Sequence, residues 1–132
     1  MRCKVFFVLF AAVFLGLSCD IFDSDGSNKD EIGFETTSMP KNLKGKWYHN
    51  NYYLMEITST KVYHENREWN INTIAKKNDE HRLMLISDRQ YMAVYFSSIT
   101  ETTCEKSFGD LAYSLYQAKV AGREGWETLT KK

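Results

Sequence analysis

The chain has 132 residues, 17 Lys and Arg against 17 Asp and Glu, a single Pro and 14% aromatic residues. This balance is typical of one globular domain, and it excludes a disordered or fibrous protein. The charges form no basic run and no strongly basic domain, so the composition also argues against a nucleic-acid partner.

The first eighteen residues have the pattern of an export signal. Arg2 and Lys4 precede an apolar run from Val5 to Leu17. This run is shorter than the roughly 20 residues that a membrane-spanning helix needs. We therefore predict that residues 1–18 form a signal peptide, which is removed from the mature protein.

A cysteine follows the apolar run directly, since positions 15–19 read LGLSC. This order resembles a bacterial lipoprotein signal, in which a small residue precedes a Cys that becomes lipid-modified and N-terminal. The resemblance implies a diacylglyceryl thioether and an acyl chain such as palmitate on Cys19. These would anchor the protein to the inner or outer membrane of a bacterial cell envelope. Gly16 and Ser18 also satisfy ordinary signal cleavage, so a secreted soluble protein is the alternative.

Cys104 is the cysteine that remains after these assignments, because Cys3 leaves with the signal peptide and Cys19 carries the lipid. No intramolecular disulfide is then available, and the domain is expected to draw its stability from its core. We interpret Cys104 as a small buried apolar residue, with an intermolecular bridge as the alternative.

Residues 19–42 are predicted to be the lipidated Cys followed by a flexible acidic tether. From Asp20 to Asn42, turn-forming residues outnumber apolar side chains, and acids outnumber bases. Such a segment cannot bury enough apolar area to offset the entropy of ordering it. The Asp, Ser and Asn cluster at 23–28 lacks the Glu and the flanking helices of a calcium loop, so no metal site is predicted.

Residues 43–132 contain short runs rich in β-branched and aromatic residues, separated by polar turns. The alternation of Tyr53, Met55 and Ile57 predicts a hairpin within 43–63. Further strands are predicted at 69–74, 82–86, 91–100, 111–120 and 126–130. Residues 101–110 are expected to form a break with a short helical turn. Strand runs about 8 to 12 residues apart, with no helix-length period, predict an all-β sandwich or antiparallel barrel.

The beginning of the first hairpin decides between these two architectures. Gly45-Lys46-Trp47 resembles the Gly-x-Trp that opens the first strand of lipocalin-like (calycin) barrels. Over residues 43–132 the resemblance implies a small antiparallel up-and-down β-barrel of seven to eight strands. It also implies a basic residue packed on Trp47, either Arg123 or a C-terminal Lys. Gly45, Trp47 and Arg123 are therefore the predicted structural residues.

The short strands limit the space for a ligand. Strands of about six residues make a barrel about 15 Å tall, and eight strands enclose a space that side chains can just fill. We expect the barrel to be packed or only shallowly open. The aromatic candidates for its interior are Trp47, Tyr53, Trp69, Tyr95, Tyr113 and Trp126.

The chain carries no recognisable catalytic or metal-binding pattern. His49, His64 and His81 lack the spacing that places two imidazoles on one metal. No nucleophile elbow or phosphate-binding loop is present. The sequence therefore predicts no enzyme and no cofactor. Inhibition of a lytic enzyme is disfavoured, because the disulfide common in such small barrels has no second Cys here.

Two functions remain. The resemblance to lipocalins implies a barrel that binds a small apolar or amphipathic ligand. The predicted binding residues at its mouth are Tyr52, Tyr53, Trp69, Tyr95 and Tyr113. The alternative is a packed, adhesin-like barrel that presents a Tyr-rich surface to a host or envelope protein, without a small-molecule ligand.

Overall fold

A computed structural model of the chain describes residues 29–30 and 32–132. The predicted signal peptide and Cys19 lie outside these residues. The strands are β1 Glu35–Thr36, β2 Gly45–His49, β3 Tyr52–Ile57, β4 Lys61–His64, β5 Arg67–Lys77, β6 Glu80–Ser87, β7 Gln90–Ser97, β8 Thr103–Phe108 and β9 Glu127–Lys131, and the helix α1 spans Leu115–Val120. No helix in this described part is long and apolar enough to cross a membrane.

Strands β2 to β9 form a closed antiparallel barrel in which each strand pairs with its neighbours in the sequence. The ring closes where β9 returns to β2, with Thr130 opposite Tyr48 and Lys131 opposite Trp47. The prediction of a small all-β, up-and-down barrel of seven to eight strands is confirmed. β1 is an additional strand, which pairs with the C-terminal part of the long β5.

Alternating side chains fill the barrel interior. Its buried core consists of Leu43, Trp47, Met55, Ile57, Val62, Trp69, Leu83, Leu85, Met92, Val94, Phe96, Cys104 and Leu129. Because eight strands enclose little more space than such side chains occupy, the barrel is packed along most of its length.

Only two of the six aromatic candidates for the interior belong to this core, namely Trp47 and Trp69. Tyr95 lies between two inward residues of β7, so its side chain reaches the outer face, where it is buried. Tyr53 faces outward because the β2–β3 register shifts after Trp47. The two others, Tyr113 and Trp126, are exposed.

One end of the barrel is sealed around Trp47. The indole is fully buried, and its Nε1 donates a 2.7 Å hydrogen bond to the carbonyl of Leu43. Lys131 Nζ lies 4.9 Å from the ring centroid and donates to the Asn42 carbonyl at 2.6 Å. Gly45 has φ +136°, and a Cβ there would lie 3.2 Å from the Lys131 side chain. The basic residue on Trp47 is therefore Lys131, and the glycine leaves room for it.

A second, smaller core covers the outer wall of β6 and β7. Its buried residues are Phe34, Ala75, Met84, Ala93, Tyr95, Ala112 and Ala118. Residues 29–30 and 32–37 form one side of it, held by Phe34 and by an ion pair between Asp30 and the buried Arg82. Part of the segment predicted to be a flexible tether is thus packed on the barrel. The burial of Phe34 and the ion pair of Asp30 stabilise this packing although most of the segment is polar.

The region predicted to be a break contains β8 instead. Cys104, Lys106 and Phe108 alternate on the inward side of this strand. Lys106 is 1% exposed, and its ammonium contacts the carboxylates of Glu124 and Glu127. A charge in an inward position breaks the apolar alternation, so the sequence pattern did not indicate a strand.

The segment 111–120, predicted to be a strand, contains α1. Ser114 caps the helix, since its hydroxyl accepts a 3.1 Å hydrogen bond from the amide of Gln117. Leu115 and Ala118, three positions apart, face the outer-wall core. With six residues the helix is too short to show a helical period in the sequence.

Candidate functional site

Three two-residue hairpins define the end of the barrel opposite the Trp47 seal, called here the open end. They are Asn50-Asn51, Glu65-Asn66 and Asp88-Arg89. All six residues have φ between +50° and +69°. Two successive positive φ values are characteristic of the type I′ turn, whose twist matches that of the paired strands. These tight turns do not cover the inward side chains at the strand ends. The longer connection at this end, residues 109–126, packs on the outer wall through Ala112 and Ala118.

A cleft of about 340 Å³ lies at the open end. It is lined by His64, Glu65, Arg67, Trp69, Met92, Phe108 and Leu111. Trp69 and Met92 are buried, whereas Leu111 is exposed. The cleft therefore combines an apolar lining with three polar groups, and its volume lies at the small end of the range for ligand pockets.

Phe108 forms one wall of the cleft and is fixed by two neighbours. The His64 ring lies 4.7 Å from the Phe108 ring, centroid to centroid. Lys106 Nζ lies 4.1 Å from the same ring centroid. His64 Nδ1 donates a 2.9 Å hydrogen bond to the carbonyl of Leu54, and this bond fixes the imidazole orientation. His64 Nε2 then lies 3.7 Å from Glu65 Oε1.

Arg67 is the half-buried cation of the cleft. Its guanidinium carbon lies 4.2 Å from the Trp69 ring centroid. Nε donates to Ser87 Oγ at 3.2 Å, and Nη2 donates to the Ser87 carbonyl at 2.9 Å. Both acceptors are neutral. The nearby carboxylate of Glu68 is paired with Lys61 at 2.5 Å.

Lys106 lies beside the cleft, and its ammonium is paired with two carboxylates. Glu127 Oε1 is 2.6 Å from its Nζ, and this hydrogen bond lowers the pKa of Glu127. Glu124 provides the second carboxylate. A hydrogen bond also joins the Glu124 backbone to β8, since Ser107 Oγ donates to the Glu124 carbonyl at 2.6 Å. This group of three charges fixes the wall of the open end.

The predicted ligand-binding residues are not brought together. Trp69 lines the cleft. Tyr52 and Tyr113 are 79% and 76% exposed, and Tyr53 packs edge-on against Tyr48 outside the barrel. Tyr95 is buried in the outer-wall core.

Sequence reasoning did not select His64, Arg67, Met92, Phe108 or Leu111. A signal for two of these residues was present. The two-residue turn at 65–66 places His64 directly opposite Arg67 across the hairpin. Both have the inward parity of Val62 and Trp69.

A larger, more open groove of about 880 Å³ runs along the outer wall. Arg123 lies in it, paired with Glu80 at 3.2 and 3.3 Å. Its guanidinium carbon lies 4.1 Å from the Tyr95 ring centroid and 5.1 Å from that of Trp126. Arg123 was one of the two alternatives predicted to pack on Trp47. It packs instead between Tyr95 and Trp126, and the other alternative, a C-terminal Lys, lies on Trp47 as Lys131.

Within residues 29–30 and 32–132, no group of three His, Cys, Asp or Glu side chains could hold a metal ion. No protein-family model, curated protein or solved structure matches the chain.

Proposed function

We propose that the protein binds a small apolar or amphipathic ligand in the cleft at the open end of the barrel. The observation that carries this proposal is the apolar concavity formed by Trp69, Met92, Phe108 and Leu111 next to the polar Arg67. Because the rest of the interior is packed, the ligand would sit at the mouth and keep one side in solvent.

Fluorescence titration with N-phenyl-1-naphthylamine, an uncharged probe made of a naphthyl and a phenyl group, tests this site. We expect saturable binding that weakens at least about tenfold in Leu111→Glu, since the new carboxylate would have to be desolvated by the ligand. Val120→Glu is the matched control, because Val120 is similarly exposed but lies on α1. Equal affinity in both variants would contradict the proposal, and so would the absence of saturable binding both of this probe and of its sulfonated analogue, 1-anilinonaphthalene-8-sulfonate.

We also propose that a lipid on Cys19 holds the barrel at a membrane of the bacterial cell envelope. The position of Cys19 directly after the apolar run supports this anchor. Fractionation of cells should find Cys19→Ala outside the membrane fraction and Cys3→Ala within it. Membrane association of Cys19→Ala would contradict lipid anchoring.

A second candidate function is protein interaction through the outer wall. The packed barrel, the open groove and the exposed Trp126 favour it. A photoreactive phenylalanine at position 126 should then give one discrete cross-linked species in intact cells, and the same residue at position 89 should not. Equal labelling from both positions would argue against a specific partner on this face.

A further inference from the structure

We infer that the ligand of the open-end cleft is an amphipathic anion, with an oxyanion group bound by Arg67 and an apolar body on Trp69 and Phe108. This inference rests on the proposed function of the same cleft. It adds the charge of the ligand and the residue that recognises it.

Arg67 has hydrogen-bond donors that its described neighbours do not use. A guanidinium has five N–H donors in a fixed fork. Two of them go to Ser87, through Nε and Nη2. Nη1 donates to none of the described residues. The donors that remain match the bidentate geometry of a carboxylate or another oxyanion.

The charge of Arg67 also points to an anionic ligand. Arg67 is half-buried against the Trp69 ring. Its bonded acceptors are neutral, and it forms no ion pair with any described carboxylate. A partly desolvated cation without a counter-ion favours an anionic ligand.

The acids around the cleft are engaged elsewhere or exposed to solvent. Glu68 is paired with Lys61, and Glu124 and Glu127 are paired with Lys106. Glu65 lines the cleft, but its side chain is 83% exposed, so water screens its charge. Arg67 therefore determines the charge preference inside the cleft.

The apolar surface of the cleft lies next to Arg67. The Arg67 guanidinium lies on Trp69, which together with Met92 forms the buried part of the cleft. A group bound to Arg67 is thus adjacent to the apolar lining. One small molecule with a flat or aliphatic body can contact both.

The test compares two probes with the same rings. 1-Anilinonaphthalene-8-sulfonate carries a sulfonate, and N-phenyl-1-naphthylamine does not. We expect wild-type protein to bind the sulfonate more tightly. Arg67→Gln should weaken sulfonate binding about tenfold and change binding of the neutral probe less than about threefold, the difference expected for one charge-assisted contact. Arg89→Gln, which removes a cation from the neighbouring hairpin at the same end, should change neither.

Arg67→Lys is the control for a folding defect in Arg67→Gln, because it keeps the positive charge but lacks the planar, forked donors of the guanidinium. It should recover part of the sulfonate affinity. The inference is overturned if the neutral probe binds as tightly as the sulfonate, or if Arg67→Gln weakens the binding of both probes equally. In either case the proposal that the cleft binds a small ligand is still supported. If neither probe binds wild-type protein, the proposed function is overturned as well. If the sulfonate does bind, its displacement by octanoate or by octyl phosphate distinguishes a carboxylate ligand from a phosphate ligand.

Discussion

Asp30 Oδ2 lies 2.7 Å from Arg82 Nη1, and this ion pair joins the chain before the barrel to the outer wall of β6. Burial of the carboxylate would raise the pKa of Asp30. The amides of Phe34 and Ile32, which donate to Oδ1 at 3.0 Å, and the Arg82 guanidinium outweigh this effect, so the pKa lies below its ordinary value of 3.8.

The stabilisation from Asp30 should therefore be lost in acid. A lowered folded-state pKa means that the contribution is complete above the unfolded value and falls as the pH drops through the folded value. Asp30→Asn should reduce the free energy of unfolding by about 2 kcal/mol at neutral pH. The difference from wild type should shrink as the pH falls below the ordinary value of 3.8, as measured by urea denaturation. A difference that does not depend on pH would exclude this ion pair as the source of the stabilisation. Asp88→Asn, in an exposed hairpin, is the control.

Trp47 should be the most costly aromatic residue to truncate. Trp47→Ala removes a fully buried indole and its hydrogen bond to Leu43, so we expect a loss of about 3 to 5 kcal/mol. Trp126→Ala, at an exposed position, should cost less than about 1 kcal/mol. Denaturant titration measures both, and similar costs would show that the seal does not depend on Trp47.

The three charges around Lys106 should respond asymmetrically to mutation. Lys106→Met leaves Glu124 and Glu127 with side chains about 40% exposed, so water can solvate them. The double variant Glu124→Gln, Glu127→Gln leaves a buried ammonium without a counter-charge. We expect a cost of about 1 kcal/mol for the first and about 3 kcal/mol for the second.

Urea denaturation of both variants checks this order. Lys44→Met, at an exposed position before β2, should leave stability unchanged. A larger cost for Lys106→Met than for the double variant would mean that the carboxylates, and not the ammonium, are the groups that need pairing.

Cys104 should be unreactive in the folded protein. Burial raises the pKa of its thiol from 9.0 to about 12, which lowers the thiolate population about 1000-fold at neutral pH. Iodoacetamide should alkylate Cys104 only after unfolding in urea, as read by peptide mass spectrometry. Thr130→Cys, exposed on the neighbouring strand, should react in the folded state. Rapid native alkylation of Cys104 would show that β8 opens readily.

The barrel could be predicted because its hairpins are local. Polar turn residues recur between alternating runs, and Gly45 and Trp47 mark the first strand. The apolar alternation did not predict a strand where a charged side chain points inward and is paired with groups that are distant in the sequence. Lys106 faces the interior because Glu124 and Glu127 approach it from another part of the chain, and no local pattern records that approach.

The cleft was harder to predict than the fold. Aromatic composition drew attention to Tyr52, Tyr53 and Tyr113, which are exposed and separated. The residues that line the cleft come from three separate stretches of the chain, 64–69, 92 and 108–111. Their proximity follows from register and barrel closure, and these are long-range properties.

The closure of β9 on β2 has a consequence for how the chain folds. The other pairings of the described barrel join strands that are consecutive in the sequence, whereas Thr130 and Tyr48 are 82 positions apart. Contacts of such long sequence separation form late, because the loop entropy must be overcome first. Until then β2 and β9 both present open edges, and the indole of Trp47 lacks its covering lysine. The interval before this seam forms is when the chain is most exposed to aggregation and most in need of a chaperone.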